Sequence, residues 1–241
     1  MNDAYDFIIW IYTYAGNFDT VIFALPFIIL LTLIYGLARV IWCKYKFGNE
    51  FIIIRRKVRL NEIIKLVAFF WFCTLLSITI TPTEFWMKVW INLINNQNPF
   101  AGCHPGHFGE IVLTPIILKY IFEGHMDWLW WSEKSIFSNL ILNIFLFIPF
   151  GISMPFICSK CSFLKTALTG LMLSFFIEFI QFFLGRECEI DDLICNTFGA
   201  SIGFIFYLVL CKIFPIFIGK CKISARQINK ANFSIIEEPK I

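Results

Sequence analysis

The sequence predicts an all-α fold, a polytopic transmembrane helical bundle of about five spans with its N-terminus outside and its C-terminus cytoplasmic. Three observations carry that expectation. Hydrophobic residues make up 59% of the chain and charged residues 15%, whereas a soluble domain carries roughly a quarter charged residues. The apolar residues come in long uninterrupted blocks, too many for one soluble core. The Lys and Arg residues gather between alternate blocks.

Residues 1–19 form a short external segment. It holds Asp3 and Asp6 and no basic n-region, so it does not read as a secretory signal. The apolar run 7–12 is too short to span and suits the interface. Residues 20–218 form the membrane domain, with spans at 20–42, 63–81, 139–158, 163–184 and 195–218. A hydrocarbon core of about 30 Å needs about 20 helical residues, and the second span, slightly short, carries Lys65. The bilayer interior offers the backbone no hydrogen-bond partner, so each block must be helical. The period-two alternation of a membrane barrel is missing. The external loop 82–138 contains the turn signature Asn95-Asn96-Gln97-Asn98-Pro99. Its stretch 110–123, interrupted by Pro115 and Lys119, reads as an interfacial or re-entrant helix, and the whole loop as a lid. Residues 219–241 form a cytoplasmic polar tail.

The orientation follows from charge. Lys44, Lys46, Arg55, Arg56, Lys57 and Arg59 follow the first span. Lys160 and Lys165 join the third and fourth, and Lys212, Lys220, Lys222, Arg226, Lys230 and Lys240 close the chain. Five spans with an external N-terminus put all of them on the side where basic residues collect. Trp10, Trp86, Trp90, Trp128, Trp130 and Trp131 then fall near the outer interface, either as an aromatic belt or packing a loop core.

The functional signal is polar. Glu178 lies inside the fourth span, where a charge costs about 2.5–3.5 kcal/mol on insertion scales. Thr166, Gly170, Ser174, Glu178, Gln181 and Gly185 recur at i+3 or i+4 and share one helix face. That face is either a helix-packing stripe or a site, and the carboxylate with an amide favours a site. Asp192, Asn196, Gly199 and Gly203 share a face of the fifth span, with Gly199 and Gly203 as a close-packing pair. Asp191 and Asp192 precede that helix, where capping competes with a site role. In the third span, Asn143 leads to Pro149 and Gly151, and Pro149 is expected to kink the helix near Phe145. In depth, Asn143, Glu178, Gln181, Arg186, Asp191, Asp192 and Asn196 converge at the outer-leaflet level.

These residues also form a pattern. Asn143-x-x-x-Phe147-x-Pro149-x-Gly151, Ser174-x-x-x-Glu178-x-x-Gln181 and Arg186-x-x-x-x-Asp191-Asp192-x-x-x-Asn196-x-x-Gly199-x-x-x-Gly203 resemble, in order and spacing, the three motifs of the VanZ-like family. Two departures stand out: Glu189 occupies a position where Asp is common, and Asn92-Leu93 and Pro99-Phe100 split an element that relatives keep together. The resemblance implies a multi-pass protein of the bacterial cytoplasmic membrane, linked through the family's namesake to teicoplanin resistance. It implies no reaction.

Three function classes follow. The first is a resistance or envelope protein binding an amphiphile, such as a lipid-linked wall precursor or a lipoglycopeptide, through Asn143, Ser174, Glu178, Gln181, Arg186, Asp191, Asp192 and Asn196. The second is an enzyme on such a lipid. There Glu178 is the acid or base, Arg186 holds a phosphate or carboxylate, and Asp191 and Asp192 position water or a metal. The third is a structural role. A polar path through both leaflets is missing, which argues against transport. Pro149, Gly151, Gly199 and Gly203 are read as packing residues. No cofactor and no metal is expected. Cys158-x-x-Cys161 lacks a second pair, and Cys103, His104 and His107 read as a turn. The basic inner face suits the lipid bilayer rather than nucleic acid.

Overall fold

A computed structural model of the chain describes residues 19–48, 51–81, 85–102, 108–115, 136–158 and 160–222. These contain helices α1 (Asp19–Phe47), α2 (Phe51–Ile80), α3 (Phe85–Ile94), α4 (Ile136–Ile157), α5 (Phe163–Phe183), α6 (Ile190–Ile213) and α7 (Pro215–Lys222). Strands β1 (Ile111–Val112) and β2 (Cys188–Glu189) complete the order. The helices α1, α2, α4, α5 and α6 are long and apolar enough to cross a membrane. Their outward faces carry exposed apolar side chains such as Leu37, Val67, Met172, Phe175 and Phe198. Such a surface suits lipid as its solvent and leaves helix association to close packing and hydrogen bonds.

The closest packing joins α4 to α6. A Cβ added at Gly203 would lie 2.1 Å from Ile148 O, one at Gly199 2.3 Å from Ile144 O, and one at Gly151 2.1 Å from Ala200 O. The two backbones touch along this seam, and only hydrogen fits between them. Gly170 brings α5 onto Ala200 in the same way, with 2.7 Å to its Cβ. Phe147, Leu75, Leu146, Ile177 and Ala200 form the core where α2, α4, α5 and α6 meet. The helix α4 runs without interruption through Pro149 and Pro155. Trp71 Nε1 of α2 donates to Leu146 O at 3.0 Å, in the turn where Pro149 lacks a donor.

The helix ends differ from the expected spans. The helix α1 continues beyond residue 42 to Phe47, and α2 begins at Phe51 rather than near 63. Hydropathy marks the bilayer, but backbone hydrogen bonding carries a helix past it into polar residues. The last span runs Ile190–Ile213 instead of 195–218. Asp191 and Asp192 fall inside its first turn, where carboxylates suit the helix dipole. It stops because Pro215 cannot continue it, and Phe214 leaves helical geometry at φ −125° and ψ 57°. The chain restarts as α7 and folds back, so part of the expected tail is helical. Asn61 Nδ2 of α2 donates to Cys221 O at 2.8 Å and to Phe156 O at 3.4 Å, which fastens α7.

The described parts of the loop 82–138 hold more structure than a plain lid. Within it, α3 packs on α1 and α2: Trp86 Nε1 donates to Ser77 Oγ and Trp90 Nε1 to Phe23 O, both at 2.8 Å. Phe27 stacks on Trp86 with ring centroids 4.8 Å apart. These two indoles therefore pack the loop against the bundle. Trp10, Trp128, Trp130 and Trp131 lie outside the described residues, as do Cys103, His104 and His107. The stretch 110–123 does not begin as a helix. Its described part forms β1, which pairs parallel with β2 in the register Ile111 with Cys188 and Val112 with Glu189. The β-branched Ile111-Val112 pair favours extended backbone, and Pro115 withholds a helical donor. Residues 116–123 lie outside the described part.

Candidate functional site

The polar residues of α5 are Thr166, Ser174, Glu178 and Gln181, all buried together with Gly170. Their i+3 and i+4 spacing places them on one face, and that face points into the bundle. Beside it, α4 supplies Asn143, α6 supplies Asp192 and Asn196, and the α5–α6 connection supplies Arg186, Glu187 and Glu189. Together with Glu178, Gln181 and Thr79 of α2 they enclose a cavity of about 350 Å³. Its apolar wall is Ile78, Leu142, Leu146 and Ile177.

Of the residues predicted from the sequence, Asn143, Glu178, Gln181, Arg186, Asp192 and Asn196 therefore share one cavity. Ser174 stands behind the wall. It accepts from Asn196 Nδ2 at 2.9 Å and donates to Asp192 O at 3.4 Å. Asp191 is buried but is not among the lining residues, because a one-residue step on a helix turns the side chain by about 100°.

The hydrogen bonds orient the lining. Asn143 Nδ2 donates to Asp192 Oδ1 at 2.5 Å. The Glu189 amide donates to Glu178 Oε2 at 3.0 Å. Gln181 Nε2 and Arg186 Nη1 both reach Thr79 O, at 2.7 and 2.6 Å, and Arg186 Nη1 also reaches Thr81 O at 3.3 Å. These carbonyls end α2, where the helix leaves acceptors unpaired, so Arg186 caps α2 with its charge. Sequence reasoning missed α2 as a wall because it contributes backbone, for which no side-chain signal exists. It also missed the loop strand. Gly109 N donates to Phe182 O and Cys188 N to Glu110 O, both at 2.8 Å, and a Cβ at Gly109 would lie 1.7 Å from Arg186 O. Glycine is required for this strand to dock against the connection that carries Arg186.

Acceptors outnumber donors in the cavity. Glu178 Oε1, Gln181 Oε1 and Asn196 Oδ1 are buried without a hydrogen-bond partner. The Glu178 and Asp192 carboxyl groups face one another within interaction range. Arg186 is the cation in a lining that also holds Glu178, Glu187, Glu189 and Asp192. Burial lowers the Arg186 pKa, while the carboxylates of Asp192, Glu178 and Glu189 pull it the other way. Burial pushes the Glu189 carboxyl up to about 7, helped by the charges of Asp192 and Glu187. Burial and the neighbouring Glu178 hold the Cys188 thiol at about 11, so it is not a ready nucleophile. Among the described residues, no three His, Cys, Asp or Glu side chains are placed to hold a metal ion. Cys158 and Cys161 are free thiols, and Cys161 Sγ lies 3.1 Å from Thr166 Oγ1.

The opposite end of the membrane-spanning part of α2, Val58–Ile80, is built differently. Glu62 lies 17 residues before Thr79, roughly 25 Å along the helix. It accepts from Arg39 Nε at 2.9 Å and Nη2 at 2.7 Å, and from Lys65 Nζ at 2.8 Å. Sequence reading passed over Glu62 and Asn61 because they sit at the edge of a basic stretch.

Comparison with known proteins gives one result for the whole chain. No curated protein and no solved structure matches it. A family model described as VanZ/LLP1 matches residues 3–212, nearly the full length and all three polar motifs. The chain belongs to the VanZ/LLP1 family.

Proposed function

We propose that this protein lies in the bacterial cytoplasmic membrane with its N-terminus outside, and that its cavity binds the head group of an amphiphile at the level of the outer leaflet. The amphiphile is a lipid-linked wall precursor or a lipoglycopeptide. Binding it contributes to teicoplanin-type resistance or to lipid homeostasis of the envelope. The observation that carries this reading is the cavity itself: about 350 Å³, charged on one side and apolar on the other, at one end of a lipid-facing bundle. That division suits a molecule with a polar head and a hydrocarbon tail, and the volume falls in the range of small-molecule sites. Family membership and the basic residues at the adjoining ends of α1 and α2 support the envelope setting and the orientation.

A second reading is an enzyme that modifies a lipid-linked precursor. The facing carboxyls of Glu178 and Asp192 favour it, since such a pair can take up and release a proton beside a bound head group. One experiment addresses both. Wild type and Glu178→Gln are expressed in a susceptible Gram-positive host, and teicoplanin and vancomycin sensitivity are measured with precursor turnover in membranes. Protection without turnover, lost in Glu178→Gln, is the expected result. Turnover lost in the variant favours the enzyme. Wild-type behaviour of Glu178→Gln, Arg186→Ala and Asp191→Asn together would leave a purely structural role.

A further inference from the structure

Resting on the reading of this cavity as an amphiphile's head-group site, we infer that the group it receives is a protonated primary amine. The argument begins with which atoms are engaged. The side-chain nitrogens of Asn143, Gln181 and Asn196 are bonded to Asp192, Thr79 and Ser174. The Arg186 guanidinium is drawn onto the carbonyls that end α2. The fully buried side-chain atoms of the lining that lack a partner are of one kind. Glu178 Oε1, Gln181 Oε1 and Asn196 Oδ1 are all acceptors, on residues 2, 3 and 2% exposed, and all three residues line the cavity.

Their orientation is set by the network. Thr79 O only accepts, so the nitrogen of Gln181 must face it and the oxygen must face the cavity. Ser174 donates its hydroxyl proton to Asp192 O, so toward Asn196 it accepts, which again leaves the amide oxygen open. Buried acceptors without a partner are costly and call for a donor. An ammonium group offers three donors and no acceptor, which matches three open oxygens.

Charge points the same way. The lining holds four carboxyl side chains and one guanidinium, so a bound cation can pair with whichever carboxyl is ionised, where a bound anion has Arg186 alone. A water molecule can donate to two of the oxygens but brings no charge. Ile78, Leu142, Leu146 and Ile177 then face the carbon atoms that follow the amine.

The test uses the full chain, purified in a neutral detergent, and titration calorimetry with lysophospholipids. Lysophosphatidylethanolamine carries the amine. Its N-acetyl derivative lacks the charge, lysophosphatidylcholine keeps the charge without N–H donors, and lysophosphatidylglycerol is anionic. Phosphoethanolamine is the head group alone. The amine lipid is expected to bind at least about tenfold more tightly than each of the other three lipids. That preference should fall to near unity in Glu178→Gln, checked for a wild-type melting temperature. If that variant does not fold, the lipid series on wild type decides alone.

Equal affinity of the N-acetyl or choline lipid overturns the amine inference and leaves amphiphile binding standing. So does strongest binding of the glycerol lipid, which would point to Arg186 instead. Phosphoethanolamine binding as tightly as its lipid upholds the amine and overturns the amphiphile reading. Binding of none of them overturns both.

Discussion

The two ends of the membrane-spanning part of α2, Val58–Ile80, handle buried polarity differently. Near its start, Glu62 lies between Arg39 and Lys65, and Asn61 bonds the returning α7. There the buried carboxylate is matched by two cations, so it needs no partner from outside. Near its end, Thr79 O gathers Gln181 and Arg186, while three acceptors of the neighbouring wall stay open around a cavity. Both ends are polar, but the first leaves one buried acceptor open, Asn61 Oδ1, whereas the second leaves three around one cavity. The comparison teaches that several open acceptors converging on one cavity, rather than polarity or a single open atom, mark a site in a membrane bundle, where each unmet acceptor works against stability.

Five changes break or sharpen that contrast. The largest effect should come from the seam that holds both ends in register. Gly203→Val puts side-chain atoms where Ile148 O and Gly151 Cα already lie, and should cost about 3 kcal/mol or more, seen as lost monodispersity and a lower melting temperature in detergent. Next is Gly109→Ala, whose Cβ meets Arg186 O. It should release the loop strand at a cost of about 1–3 kcal/mol, with amide exchange at Cys188 reporting the release. At the matched end, Glu62→Gln leaves Arg39 and Lys65 side by side and should lower stability by about 1–2 kcal/mol. At the open end, Glu178→Gln should leave the melting temperature unchanged or slightly higher, because an amide keeps an oxygen for the Glu189 amide and removes one of two facing carboxyls. A drop as large as that of Glu62→Gln would erase the distinction between the ends.

The smallest effect is a pH dependence. Folding raises the Glu189 pKa from the ordinary carboxyl value near 4.5 to about 7, so the folded state holds this proton more tightly than the unfolded chain. Its contribution to stability is present below the ordinary carboxyl pKa and is lost as pH rises through about 7. Melting temperature should therefore fall between about pH 5 and about pH 8, and Glu189→Gln should shrink that fall. An unchanged pH slope in the variant would mean the charges around Glu189 are better screened than their burial suggests.

Hydropathy made the five spans legible, because each block of apolar residues has one stable form in a bilayer. It marked their ends less well, since Phe47 and Phe51 extend helices beyond the hydrocarbon and Pro215 cuts the last one short. The site was legible wherever a polar side chain broke an apolar run, as at Asn143, Glu178, Gln181, Asp192 and Asn196. It was illegible where backbone does the binding. Thr79 contributes a carbonyl that every residue has, and β1 is two residues long, too short to show a period.

That short ladder has a consequence in time as well as in space. The amides of Cys188 and Glu189 are both engaged, one by Glu110 O and the other by Glu178 Oε2. Two consecutive amides in what looks like an exposed turn should therefore exchange with deuterium slowly, at rates closer to those of the helices than of a loop. The backbone that carries Glu189 is then held in place before any partner arrives. Its ordering entropy is spent during folding, so capture at this site should show a small entropic penalty.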